Sequence, residues 1–173
     1  VFYCSTDNDD DRAAELIQSL LQANVDGFII TPTENLEKSI DQLLKMKVPV
    51  VLIDRYFPDQ EVSHVVMNNY EGAYIATELL IEKGRRNIAV INNNSGMIQM
   101  QSRENGYIDA MKKAGLYNGD LILHINYHST EEEKVEEIIR FFENNKSIDG
   151  VLFLANYMGL AGLQAFHRMG IKI

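Results

Sequence analysis

The sequence predicts an α/β fold with parallel, doubly wound sheets, because short apolar runs alternate with amphipathic stretches from one end to the other. The apolar runs are rich in β-branched residues and lack strict alternation, which is typical of strands covered on both faces. Alternating strands and helices require right-handed crossovers between parallel strands. We therefore expect strands at 1–5, 27–31, 48–53, 64–67, 87–91, 121–125 and 150–154.

The segments between these strands carry helical patterns, in which apolar residues recur at the spacing of one buried stripe. We expect helices over 13–21, 36–44, 70–83, 98–113, 135–142 and 157–169. Their ends carry matching signals. Gly84, Gly115 and Gly170 each follow a helix where a left-handed cap is favoured, and Ser129 or Thr130 precedes three glutamates that suit a helix start.

One connection departs from this alternation. The strand ending at Ile53 is followed by Asp54-Arg55-Tyr56-Phe57-Pro58 and then by a second short strand, with no helix between them. Such a step can mark a chain that leaves one sheet for another. We place a boundary between Met67 and Asn68, which gives lobes 1–67 and 68–173. Both ends resemble cut strands, so we expect a fragment truncated at both ends.

Composition narrows the classes of function. The net charge of −9 and the pI near 4.9 make these residues poor candidates for contacting nucleic acid, because an acidic surface repels phosphate. The single cysteine, Cys4, cannot form an internal disulfide, which weakly favours a reducing compartment. No apolar run approaches the length of a membrane span, so we expect no membrane partner.

Motifs of enzymes are absent from the sequence. It contains no glycine-rich dinucleotide loop, no Walker loop and no nucleophile elbow. Its four histidines and Cys4 lack the spacing of metal ligands. We therefore predict a protein that is not an enzyme and has neither a cofactor nor a metal site.

Polar residues follow the predicted strands at their carboxyl ends, where parallel α/β sheets bind ligands. These residues are amides, hydroxyls and carboxylates with few lysines, which suits a neutral polyhydroxylated ligand, although the same residues also favour turns. Arg103 lies in the first turns of the helix after an asparagine-rich loop. It could hold vicinal hydroxyls or a carboxylate, but position alone favours a surface salt bridge, with Glu104 as a candidate partner.

Five segments resemble the regulatory core of LacI/GalR repressors in order and spacing, namely 25–32, 48–58, 65–90, 102–107 and 149–156. The resemblance covers almost the whole chain, and the block from Asp54 to Gly84 is its most specific part. It implies a two-lobed core like a type 1 periplasmic binding protein, with an effector held between the lobes. It also implies a cytoplasmic homodimer that binds operator DNA through an N-terminal domain outside this sequence.

The resemblance also assigns candidate ligand-binding residues. Asp54, Arg103 and Asn156 match effector-contacting positions, while Gln99 and Met67 match positions that often line the pocket. Tyr127, or its neighbour His128, could supply the stacking side chain common in sugar sites. The sequence departs from the family at Tyr157, where Asp is usual.

These observations predict the effector-sensing domain of a LacI/GalR-type transcription regulator, which binds a small polar ligand such as a sugar and controls DNA binding allosterically. The alternative is a sugar-binding receptor of a transport system, which shares the fold. An upstream helix-turn-helix would favour the regulator, whereas an upstream signal peptide would favour the receptor. An enzyme of another α/β family is a more distant third.

Overall fold

The computed structural model describes residues 1–172, in which helices and parallel strands alternate. The helices are α1 (Asp10–Gln22), α2 (Glu37–Lys45), α3 (Asn69–Glu82), α4 (Ile98–Lys113), α5 (Glu131–Asn144) and α6 (Asn156–Arg168). The strands are β1 (Phe28–Ile30), β2 (Val50–Ile53), β3 (Ser63–Val65), β4 (Ile88–Asn93), β5 (Ile122–Ile125) and β6 (Gly150–Phe153). This order confirms the predicted α/β class. Among residues 1–172, none of the helices combines the length and the hydropathy that a membrane span requires.

The chain divides into two compact units, Val1–Met67 and a second unit that begins at Asn68. The first unit contains a parallel sheet of order β1-β2-β3. Its core joins this sheet to α1 and α2 through buried side chains that include Ile17, Phe28, Ile40 and Leu52. The two described helices therefore pack on one face of this sheet.

The opposite face of the first sheet is open among the described residues. Ile29 and Ile53 alternate with the core residues of β1 and β2 and are exposed, and β3, which ends at Val65, is exposed along its whole length. The predicted strand at 1–5 is wrong, because Val1, Phe2 and Tyr3 are exposed and this segment pairs with no strand in the described chain. The residues of this segment favour a strand, but a strand needs hydrogen bonds to a neighbouring strand, and none lies beside it in the described chain.

The second unit contains a parallel sheet of order β5-β4-β6. Its central strand β4 is buried along its whole length. Ile88 and Val90 pack with residues of α3 and α4, whereas Ile91, on the opposite face, packs with residues of α5 and α6. Helices thus cover both faces of this sheet, which confirms the doubly wound prediction for this unit.

Local signals in the sequence place the helix ends. Thr130 caps α5 and forms a capping box with Glu133, which settles the choice between Ser129 and Thr130. Gly84, Gly115 and Gly170 have positive φ, and each lies two residues after the last residue of its helix, α3, α4 or α6. At the other boundaries, β4 extends two residues beyond its predicted end, to Asn93, and a 3-10 turn over Gly119–Leu121 delays the start of β5 to Ile122.

Candidate functional site

Arg103 lies in the second turn of α4 and is partly buried. Its Nε donates a hydrogen bond to Asn69 Oδ1 at 2.8 Å, and its Nη1 donates to the carbonyl oxygen of Leu154 at 2.5 Å, just after β6. The surface salt bridge with Glu104 does not form, because Glu104 instead binds Asn92 and His124. Arg103 is therefore fixed at two points, and its Nη2 has no hydrogen-bond partner among residues 1–172.

Gln99 is buried in the first turn of the same helix. Its Nε2 makes one long contact, 3.5 Å from the sulfur of Met97, and its Oε1 has no hydrogen-bond partner within the described chain. An unpaired buried amide oxygen costs about 1–3 kcal/mol. A ligand hydroxyl placed against Gln99 would remove this cost.

Tyr127 and Asn156 complete the set of predicted residues in the second unit. Tyr127 follows β5, is partly buried and packs against a cluster that contains Met97, Met100 and Leu154. Asn156 begins α6 two residues after Leu154, and its side chain is exposed apart from an Oδ1 bond to the backbone N–H of Tyr157 at 2.8 Å. Met100 and Leu154 also contact Arg103. The second unit thus groups Gln99, Arg103 and Tyr127 around one apolar cluster, with Asn156 close to it in the chain.

The two remaining predicted residues, Asp54 and Met67, belong to the first unit. Asp54 directly follows β2, its backbone N–H bonds the Val65 carbonyl at 3.0 Å, and its φ of +66° lies in the left-handed region. That conformation is uncommon outside glycine and tends to occur at functional positions. The Asp54 side chain is 44% exposed. Met67 is 64% exposed.

Arg55 organises the strand ends around Asp54. Its Nη1 donates to Asn8 Oδ1 at 2.7 Å and to the Pro32 carbonyl at 3.2 Å. Arg55, which follows β2, therefore contacts both the segment before α1 and the segment after β1. Its Nε lies 3.7 Å from Asp54 Oδ2. Sequence reasoning placed Arg55 at the strand end but did not predict this role, because its partners are 47 and 23 residues away.

Tyr157, which departs from the LacI/GalR pattern, lies next to Asn156 in the first turn of α6. Its hydroxyl accepts a hydrogen bond from Asn93 Nδ2 at 2.6 Å, at the end of β4, and the Lys134 ammonium lies 5.2 Å from the centre of its ring. Tyr157 therefore links α6 to the carboxyl end of the central strand β4 of the second sheet. Within residues 1–172, no group of three His, Cys, Asp or Glu side chains could hold a metal ion.

The sequence profile of the periplasmic binding protein domain matches residues 1–172. The chain belongs to this family. A curated relative, the ribose operon repressor of Halalkalibacterium halodurans, is 29% identical over 173 residues, which are 100% of this chain and 50% of the repressor. The domain therefore spans about half the length of the curated relatives it matches.

Solved structures agree with this assignment. The crystal structure of a putative ribose operon repressor from Burkholderia thailandensis has a TM-score of 0.87 at 23% identity and covers 100% of this domain and 63% of that chain, which supports the fold. The complex of the transcriptional regulator CelR with cellobiose has a TM-score of 0.80 at 27% identity and covers 94% of this domain and 50% of that chain.

The homologues of this periplasmic binding protein domain are LacI-family repressors, which confirms the resemblance seen in the sequence. Such repressors are not enzymes, which agrees with the prediction that the domain has no catalytic role. The comparisons do not favour a transport receptor.

Proposed function

We propose that this domain is the effector-sensing part of a LacI-family transcription regulator and that it binds a sugar as the effector. In this proposal Gln99, Arg103, Tyr127 and Asn156 of the second unit contact the sugar, and Asp54 and Met67 of the first unit are also candidate ligand contacts. The main support for this proposal is the hydrogen bonding of Arg103. Asn69 and the Leu154 carbonyl anchor its Nε and Nη1, and the N–H groups of Nη2 can donate to a ligand.

The chemistry of these side chains suits a sugar. Arg103 supplies donors, Asp54 supplies acceptors, and the unpaired oxygen of Gln99 accepts from a hydroxyl. Tyr127 provides an aromatic surface for the apolar face of a sugar ring. The name of the ribose operon repressor and the cellobiose bound to CelR agree with a sugar as the effector of this domain.

In this proposal, sugar binding and DNA binding are thermodynamically linked. A sugar that binds one conformation of the regulator more tightly than another shifts the population toward the first, and this changes the population of states that bind DNA. Operator DNA is bound by a separate N-terminal domain in a homodimer, which acts in the cytoplasm where the DNA is. This assignment of DNA binding to another domain fits the net charge of −9 on the present residues.

Calorimetry of the full-length regulator with ribose, cellobiose and glucose tests the sugar site. We expect one of these sugars to bind, and we expect Arg103→Ala and Asp54→Asn each to weaken its binding by roughly tenfold or more, because each removes a charged hydrogen bond. Arg140→Ala is the matched control, since Arg140 is an exposed arginine of α5 outside the candidate site. Affinity that survives in both site variants would exclude this site.

A further inference from the structure

A cavity of about 500 Å³ lies on the second unit at the carboxyl ends of β4 and β5. Its lining includes Asn92, Asn94, Gln101, Glu104, Asn105 and His124, and none of its eight lining residues is apolar, lysine or arginine. Gln99, Arg103, Tyr127 and Asn156 do not line it. Its volume falls within the range of small-molecule sites. These four candidate residues are therefore not in the cavity wall, and the backbone N–H of Tyr127 contacts it through Asn94 Oδ1 at 3.0 Å.

The geometry of α4 explains this separation. Successive residues of an α-helix point about 100° apart, so Arg103 and Glu104 face different parts of the unit. Arg103 reaches toward α3 and the end of β6, whereas Glu104 reaches toward β4 and β5. Gln101, Glu104 and Asn105 follow the spacing of one helical face and form one wall of the cavity.

Glu104 is the charged centre of the cavity, and its side chain is only 18% exposed. Its Oε2 accepts a hydrogen bond from Asn92 Nδ2 at 2.6 Å and lies 2.7 Å from His124 Nε2. Because a carboxylate can only accept, Nε2 must carry the proton, and Nδ1 of a neutral His124 is then an acceptor. Glu104 Oε1 and His124 Nδ1 have no protein partner in the described chain.

The cavity therefore presents acceptors around one mostly buried carboxylate; its lining contains no lysine or arginine, and its one histidine is hydrogen-bonded to that carboxylate. A ligand that fits it must donate hydrogen bonds, and an ammonium group does so while compensating the charge of Glu104. Anions are disfavoured by the same charge. The remaining wall of asparagine and glutamine side chains can bond hydroxyl groups of the same ligand.

We propose that this cavity is a second ligand site, which takes a small ammonium-bearing molecule with hydroxyl groups, of the amino-sugar type, held by Glu104 and His124. This site goes beyond the proposed sugar site and does not depend on it. Its two walls join β4, β5 and α4, the helix that also carries Arg103.

Glucosamine and glucose are the probes for calorimetry with the full-length protein, because they differ in one amino group. We expect glucosamine to bind even when the sugar site is removed by Arg103→Ala. We expect Glu104→Gln, which keeps the shape of the side chain but removes its charge, to weaken glucosamine binding by roughly tenfold or more. The affinity for glucose should change by less than about twofold in Glu104→Gln, because a substitution outside the binding site has only a small effect.

A second variant guards against a folding defect in Glu104→Gln. Asn105 is exposed and makes no side-chain hydrogen bond in the described chain, so Asn105→Lys should fold normally while its own ammonium occupies the cavity. We expect it to abolish glucosamine binding. The proposal is overturned if glucosamine fails to bind the wild type, if both variants bind it normally, or if only Arg103→Ala removes its binding. The last result would assign glucosamine to the sugar site and leave the proposed function intact.

Discussion

The guanidinium of Arg103 is held by Asn69 and by the Leu154 carbonyl, and neither contact could be predicted from the sequence. Asn69 lies 34 residues before Arg103 and Leu154 lies 51 residues after it. Position along α4 favoured a salt bridge with Glu104, whereas the resemblance favoured a ligand contact. The salt bridge between Arg103 and Glu104 is not formed, because the fold brings other partners closer to both side chains.

Tyr107 is fully buried in α4, and its hydroxyl donates to the Ile88 carbonyl at 2.7 Å. Burial, together with the nearby Tyr117 and Glu104, raises the pKa of Tyr107 to about 12. The folded state thus keeps a proton that the unfolded chain releases near pH 10. We expect the free energy of unfolding to fall as pH rises from about 10 to about 12, because stabilisation from a raised pKa is lost in that window.

Chemical denaturation at a series of pH values measures this dependence. Tyr107→Phe should lose the part of the slope above pH 10 that belongs to Tyr107, at a cost of about 1 kcal/mol near neutral pH for the missing hydrogen bond. Tyr3→Phe is the control, since Tyr3 is 94% exposed. An unchanged slope in Tyr107→Phe would show that its buried hydroxyl does not govern alkaline stability.

At the scale of elements, α3 and α4 pack closely at Gly106. A Cβ on Gly106 would lie 3.0 Å from the backbone nitrogen of Tyr74 and closer still to the carbonyl oxygen of Tyr70, both in α3. Gly106→Ala should therefore force the helices apart and lower the free energy of unfolding by about 1–3 kcal/mol. Thermal or urea denaturation measures this change.

Gly72, in α3, is the matched control for Gly106. A Cβ at Gly72 meets no heavy atom within 4 Å, so Gly72→Ala should stabilise the helix by about 0.4–1 kcal/mol. Opposite signs for the two substitutions would show that close packing, and not a general loss of glycine, causes the effect at Gly106. Equal effects would contradict the close approach of α3 and α4.

The elements themselves follow largely from local sequence. The capping box at Thr130 and the glycines after α3, α4 and α6 act within a few residues, so they can be recognised without the fold. The segment 1–5 has strand-like composition, yet it forms no strand because strand formation needs a neighbour in space. The extension of β4 to Asn93 likewise depends on its pairing with β5.

The α/β class and the family could be predicted because alternating apolar runs and long matching segments are properties of the sequence itself. The candidate site was predicted less completely. Resemblance supplied Gln99, Arg103 and Tyr127, which pack around one cluster, but it gave no indication of the cavity at Glu104. That cavity depends on residues from β4, α4 and β5, whose spacing in the sequence carries no motif.

We propose that the candidate residues, Arg103 and Asp54 among them, contact a sugar. Hydrogen exchange of the full-length regulator, measured by mass spectrometry with and without the sugar found by calorimetry, shows which residues the sugar protects. Bound sugar should slow exchange at residues 54–58 of the first unit and also at residues 97–104 and 154–157 of the second, because ligand contact suppresses local opening. Unchanged exchange at residues 97–104 and 154–157 in the presence of the sugar would contradict the proposed sugar site.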